Sequence, residues 1–129
     1  MSYKLFVCGS RSVTNKQYIY EQIRAFIIEL NLVDETIVIV HGGAHGVDSI
    51  AGNYARDFGY VEEVYLPDWK THGKKAGFLR NAIMADVCDA CLAVHDGVSK
   101  GTLNSINHIK RMGKPLKVAV LKGENDETN

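Results

Sequence analysis

Four short stretches of the sequence concentrate the glycines, hydroxyls and charges that could do chemistry. The first is Gly9-Ser10-Arg11-Ser12. Gly9 permits a tight turn, the serines offer hydroxyls, and the Arg11 fork fits a phosphate or carboxylate. The same residues could also make a simple polar turn with a solvated arginine. The second stretch, His41-Gly42-Gly43-Ala44-His45-Gly46-Val47-Asp48, sets Gly42, Gly43 and Gly46 ahead of a helical pattern. Backbone without Cβ atoms allows close approach to a ligand, and free N–H groups at a helix start favour an anion. Asp48 stands in the first helical turn, where it either complements the helix dipole or takes sugar hydroxyls or a water. His41 and His45 lack a helical His-Glu-x-x-His setting and a partner carboxylate, so no metal site is expected.

The third stretch is Asp96-Gly97-Val98-Ser99-Lys100-Gly101-Thr102. It lacks the Gly-Lys-Ser/Thr ending of a P-loop, yet Ser99 could cap a helix while Gly101 and Thr102 donate N–H groups to phosphate. A plain capped helix start is the competing reading. The fourth runs Pro67-Asp68-Trp69-Lys70, His72-Gly73-Lys74-Lys75-Ala76-Gly77 and Arg80-Asn81. Trp69 is the only tryptophan and falls in a polar loop, free either to stack on a base or to pack beneath the loop. Arg80 and Asn81 share a helix with apolar Leu79, Ala82 and Ile83, which lets Arg80 emerge towards the same place.

The elements between these stretches decide whether they meet. Leu5 to Cys8 reads as a buried strand. Thr14-Asn15-Lys16-Gln17 resembles a capping box, in which the Thr14 hydroxyl and Gln17 amide satisfy free backbone donors. Ile19, Ile23, Phe26, Ile27 and Leu30 then give residues 15–30 one apolar helical face. Thr36 to Val40 is β-branched without polar alternation, as in strands of parallel sheets covered on both faces. A second helix from Val47 to Phe58 stops at Gly59 in the C′ position. Val61 to Tyr65 is a third strand, 67–75 a polar loop, and 76–87 a third helix. Ala90 to Val94, 101–112 and Leu116 to Leu121 complete the strand and helix series.

This alternation predicts an α/β fold: a single Rossmann-like three-layer α/β/α sandwich with a mostly parallel sheet of about five strands. The domain spans 1–122, and 123–129 reads as a polar, frayed tail. In such sheets ligands bind beyond the carboxyl ends of the strands, which is where the glycine-bearing stretches fall.

Composition narrows the class. At 129 residues with 46% hydrophobic content, the chain can bury a core without staples. Fifteen basic residues balance fifteen acidic ones. That neutrality disfavours a nucleic-acid binder, whose affinity depends largely on neutralising phosphates. Three cysteines make no disulfide framework. The Cys88–Cys91 spacing has no second pair to form a zinc site, so these read as small buried residues in a reducing compartment. With neither signal nor membrane-spanning run, a cytoplasmic location is expected.

Taken together, Gly-Ser-Arg, Gly-Gly-Ala-x-Gly-x-Asp, Arg-Asn-x-x-Met and Gly-x-Ser-x-Gly-Thr resemble the SLOG superfamily, and within it the YspA-like (DUF2493) branch, over about residues 3–120. The resemblance implies a Rossmann-like fold. More distantly it is similar to cytokinin-activating phosphoribohydrolases and to DprA, a single-strand DNA binder. Phosphoribohydrolases pair Arg-x-x-x-Met with Pro-Gly-Gly-x-Gly-Thr-x-x-Glu. Arg80 and Met84 match the first motif and Gly101-Thr102 part of the second, but Ser105 stands where the glutamate belongs. A hydroxyl does not replace a carboxylate that assists glycosidic cleavage.

The expected function is therefore binding of a nucleotide or an NAD- or ADP-ribose-derived ligand, as a sensor or sequestering domain. Gly9, Ser10, Arg11, Gly42, Gly43, Gly46, Asp48, Trp69, Arg80, Asn81, Ser99, Gly101 and Thr102 are the ligand-binding candidates. An N-glycosidase, with Asp48 or Asp96 catalytic, is one alternative; a DprA-like single-stranded DNA binder is the other. No cofactor or metal is expected. Homo-oligomerisation is expected because relatives assemble through helices beside the crevice.

Overall fold

The computed structural model describes residues 1–121 of the chain, so the expected tail at 123–129 lies outside the described residues. Five strands, β1 (Ser2–Gly9), β2 (Thr36–His41), β3 (Val61–Val64), β4 (Ala90–His95) and β5 (Leu116–Val120), form one sheet in the order β3-β2-β1-β4-β5. Every pairing is parallel. Helices α1 (Lys16–Glu29), α2 (Val47–Asp57), α4 (Ala76–Val87) and α5 (Lys100–Met112) cover the sheet.

Alternation along each strand divides the core in two. Leu5 and Val7 of β1, Ile39 of β2 and Leu92 of β4 pack with Ile19, Ile23 and Phe26 of α1 and with Ala51 and Tyr54 of α2. Their neighbours Phe6, Cys8, Val40, Cys91 and Ala93 face the other way, onto Met84 and Ala85 of α4 and Ile106 and Ile109 of α5. A strand buried on both faces has no polar alternation to show, which accounts for the continuous apolar runs in β2 and β4. The fold is the three-layer Rossmann-like arrangement that the alternation predicts. Among the described residues no helix is long and apolar enough to cross a membrane.

Local chemistry departs from expectation at two places. Asn15, not Thr14, is the N-cap of α1: its side chain accepts from the Tyr18 N–H at 3.0 Å. The Gln17 amide donates to Glu21 one turn on. The stretch 67–75, expected as loop, contains the short helix α3 (Trp69–His72) and a 3-10 turn, Gly73–Lys75. Asp68 caps α3 by accepting from the Thr71 N–H at 3.1 Å. Gly59 follows α2 at φ +72°, and the Tyr60 N–H returns to the Ala55 carbonyl at 2.8 Å, closing that helix as the sequence suggests.

The three cysteines are buried and unpaired. Cys8 and Cys91 thiols lie 3.9 Å apart, and Cys88 donates to the Ala85 carbonyl. Burial pushes the Cys88 thiol up to about 11, which keeps it protonated and unreactive.

Candidate functional site

From β1 the chain proceeds to β2 on one side, and from β3 it crosses to β4 on the other side of β1. The carboxyl ends of β1 and β4 therefore border the point where strand order reverses, and a crevice opens there. It holds a cavity of about 520 Å³, within the usual range for small-molecule sites.

Of the sequence-selected residues, Gly9, Arg11, Asp48, Trp69, Arg80, Asn81, Ser99, Gly101 and Thr102 line this cavity, as does Asp96. Ser10, Gly42, Gly43 and Gly46 stand outside its lining, and each has a partner within the protein. The Ser10 N–H donates to the Val94 carbonyl at 3.1 Å, and its hydroxyl accepts from the Asp96 N–H at 3.0 Å. Ser10 thus ties the loop after β1 to the loop after β4. A Cβ on Gly42 would come within 2.6 Å of Arg80 Nη1 and 3.0 Å of Asp48 Oδ2. One on Gly46 would meet the Arg11 carbonyl at 2.7 Å, and one on Gly43 the Leu66 side chain at 2.9 Å. The close approach these glycines allow is to the protein's own side chains and loops. At Gly101, by contrast, nothing lies within 4 Å of the Cβ position.

The loop after β2 consumes its own donors. Asp48 Oδ2 accepts from the Gly42 N–H at 3.0 Å and the Ala44 N–H at 3.3 Å. The Gly43 N–H donates to His41 Nδ1 at 3.0 Å, which leaves His41 Nε2 to donate to Glu62 at 2.6 Å. Arg56 supports the same Glu62 from α2. Burial raises the Asp48 pKa, and the two N–H donors, the nearby His41 and the Arg80 guanidinium oppose that rise. Arg80 Nη1 donates to the carbonyls of Gly42 (2.6 Å) and Tyr65 (3.1 Å), and Nε to Asn81 Oδ1 (3.0 Å). Its pKa is lowered by burial first and by the Arg11 guanidinium after it, with Asp48 acting the other way.

The loop after β4 is organised by Asp96. Its Oδ1 accepts from the Val98 N–H (2.9 Å) and the Ser99 N–H (2.8 Å), and its Oδ2 from the Ser12 hydroxyl (2.9 Å). Burial would raise this carboxyl, but these hydrogen bonds outweigh it and bring the pKa down to about 2. Ser99 is the N-cap residue of α5 but makes no side-chain capping bond, contrary to the sequence expectation; Asp96 organises the turn instead. The backbone donors of Lys100, Gly101 and Thr102 then stand in the first turn of α5, where a helix leaves N–H groups unsatisfied. Thr102 Oγ1 lies 3.4 Å from the hydroxyls of both Ser10 and Ser99.

Cys8, Ser12, Ala44, Lys74, Gly77, Phe78, Met84 and Ser105 also line the cavity, although they are not among the ligand-binding candidates that the sequence marks. Met84 lies one helical turn beyond Arg80, so its spacing already placed it on that face. Phe78 had a weaker signal, an aromatic near the start of a helix whose other apolar positions suffice for packing. Trp69 and Phe78 are both exposed at the mouth, and a Cβ on Gly77 would lie 3.7 Å from the Trp69 ring. The lining carries three cations, Arg11, Lys74 and Arg80, against two carboxylates that are both engaged by backbone donors.

A family model for the YspA, cpYpsA-related SLOG family matches residues 3–72. The gene 61 protein of Mycobacterium phage D29 is 34% identical over 119 residues, covering 88% of this chain and 93% of that one. Several solved structures share the fold, two of them DNA processing proteins. DNA processing protein A (DprA) from Streptococcus pneumoniae superposes with a TM-score of 0.71 at 19% identity, over 91% of this chain but only 50% of its own. DNA processing protein A from Helicobacter pylori, a structure described for its single-stranded DNA binding mode, gives 0.69 at 20% identity, over 98% and 70%. With its central sheet, its loop motifs and a relative of nearly equal length in agreement, the chain belongs to the YspA, cpYpsA-related SLOG family.

Proposed function

We propose that this protein binds a nucleotide or an NAD- or ADP-ribose-derived ligand in the crevice beyond β1 and β4, as a sensor or sequestering domain. The observation that carries the reading is the polarity of one cavity. The first turn of α5, with Gly101 open and the Thr102 hydroxyl beside it, suits a phosphate, and Arg11 and Arg80 add guanidinium charge. Trp69 and Phe78 offer aromatic faces for a base at the mouth. Arg11→Ala and Thr102→Val are each expected to weaken nucleotide binding about 10–100-fold, as loss of hydrogen bonds to a charged group would. Unchanged affinity in both variants, measured by calorimetry, overturns the phosphate assignment.

Two further readings each rest on one observation. Asp48 is a buried carboxylate with a raised pKa at the cavity wall, a setting that suits a general acid in N-glycosidic cleavage. That enzyme reading requires turnover that Asp48→Asn abolishes while binding persists. Asp96, ionised down to about pH 2, holds no proton to donate near neutral pH. The DprA likeness supports single-stranded DNA as a ligand, with Trp69 and Lys74 at the open mouth as its contacts; absence of oligonucleotide binding at low salt excludes it. Leu79 and Ile83, one turn apart, leave an apolar strip on α4 beside the cavity, which we assign to contact with a second copy. A monomer mass by light scattering overturns that assignment. Three buried free thiols fit a reducing, cytoplasmic setting.

A further inference from the structure

Ser105 lies on α5 three residues beyond Thr102, so it sits about 4.5 Å further along the helix axis. It is 2% exposed and lines the cavity. Its hydroxyl has no hydrogen-bond partner among the described residues, and its oxygen is not sealed off, so it opens on the cavity. A helical serine ordinarily satisfies itself on the carbonyl four residues back, and this one does not. The other polar groups nearby are engaged: Thr102 with Ser10 and Ser99, Asp96 with its turn, Asn81 Oδ1 with Arg80. A buried hydroxyl without a partner is costly unless something else supplies one.

We propose that Ser105 is a specificity-determining residue that hydrogen-bonds a sugar hydroxyl of the bound ligand, one helical turn below the phosphate. The inference rests on the nucleotide reading above and adds to it the chemical class of the ligand: a 5′-phosphorylated ribose with its ring hydroxyls intact. The first-turn N–H groups of α5 and the Ser105 hydroxyl share one helix, so the span between phosphate and hydroxyl is fixed by the helix. The rise from the Thr102 and Gly101 N–H groups to Ser105 is about 4.5–6 Å, which a ribose ring can bridge from its 5′-phosphate. Cys8 and Met84, buried residues of the same lining, offer no strong hydrogen bonds that compete for the same hydroxyl. A ligand lacking the hydroxyl would leave Ser105 buried and unpaired, so discrimination comes from the site's own unmet demand.

The test uses AMP, 2′-deoxy-AMP and 3′-deoxy-AMP as probes, titrated into the wild-type protein and Ser105→Ala. The expected result is a preference of about 3–10-fold or more for AMP over one of the deoxy analogues in the wild type. Ser105→Ala removes that preference by weakening AMP while leaving the deoxy analogue unchanged. Alanine is a strong helix former, and an unchanged melting temperature verifies that the variant folds. Equal binding of the three probes by the wild type, or a preference that survives in Ser105→Ala, overturns the role of Ser105 and leaves the nucleotide reading standing. Failure of all three to bind the wild type overturns the role of Ser105, and the nucleotide reading falls with it only when NAD, ADP-ribose, GMP and IMP also fail to bind.

Discussion

Replacing Asp96 with alanine removes the acceptor for the Val98 and Ser99 N–H groups and for the Ser12 hydroxyl, and with them the turn that delivers the chain into α5. The carboxyl falls from 3.8 to about 2 on folding, so the fold favours the ionised form. A fall of that size corresponds to about 2.4 kcal/mol. Asp96 is only partly buried, and solvent screening reduces this to about 1–1.5 kcal/mol. Because the folded-state value is depressed, this stabilisation is present above pH 3.8 and is lost as pH falls through about 2. Urea melts at pH 7 should therefore find Asp96→Ala less stable by about 1–2 kcal/mol, a melting temperature about 3–6 °C lower. The gap between wild type and variant should shrink steadily from pH 5 to pH 2.5. Asp96→Asn, which keeps an acceptor oxygen for the turn, should recover about half of the loss. A gap equal at pH 2.5 and pH 7, or no gap at pH 7, refutes the assignment of Asp96 as the organiser of this loop.

Other perturbations test neighbouring parts of the account. Gly42→Ala places a methyl 2.6 Å from Arg80 Nη1; it should cost about 1–3 kcal/mol in a thermal melt and weaken ligand binding by displacing Arg80. Asp48 has a raised folded-state pKa, so its favourable contribution is present at low pH and lost as pH rises through that value. Asp48→Asn should accordingly leave stability at pH 7 equal to or above wild type, and clear destabilisation there would contradict the burial argument. Lys114 Nζ donates to the carbonyls of Ala85, Asp86 and Cys88 at the end of α4. Lys114→Met should lower stability by about 1–2 kcal/mol in urea melts with little effect on affinity.

The layers and strand succession were legible because buried parallel strands leave continuous β-branched or apolar runs. Thr36 to Val40 and Ala90 to Val94 could hardly be anything else between helical patterns. The short helix at Trp69–His72 was not legible, since four residues show no periodicity; only Asp68 before it carried a signal, as a cap. The glycines marked the crevice for a reason their types do not reveal. Gly42 and Gly46 make room for Arg80 and for the loop after β1, and that depends on contacts across about 35 residues of sequence. Residue type alone also left open what Asp48 and Asp96 do, because each carboxylate serves first as an acceptor for its own loop. Ser105 was visible only as a mismatch to a motif; its burial without a partner is a tertiary fact.

The central claim, that the crevice holds a phosphate-bearing nucleotide, is tested most directly by one incubation. The purified protein is mixed with NAD, ADP-ribose and its cyclic forms, AMP, ADP, GMP and IMP, then filtered, and the filtrate and the denatured retentate are both chromatographed. The account predicts that one of these compounds is recovered intact with the protein, and that Arg11→Ala or Thr102→Val releases it. Free base in the filtrate that disappears with Asp48→Asn would show turnover instead of retention. Unchanged composition in both fractions would contradict the claim.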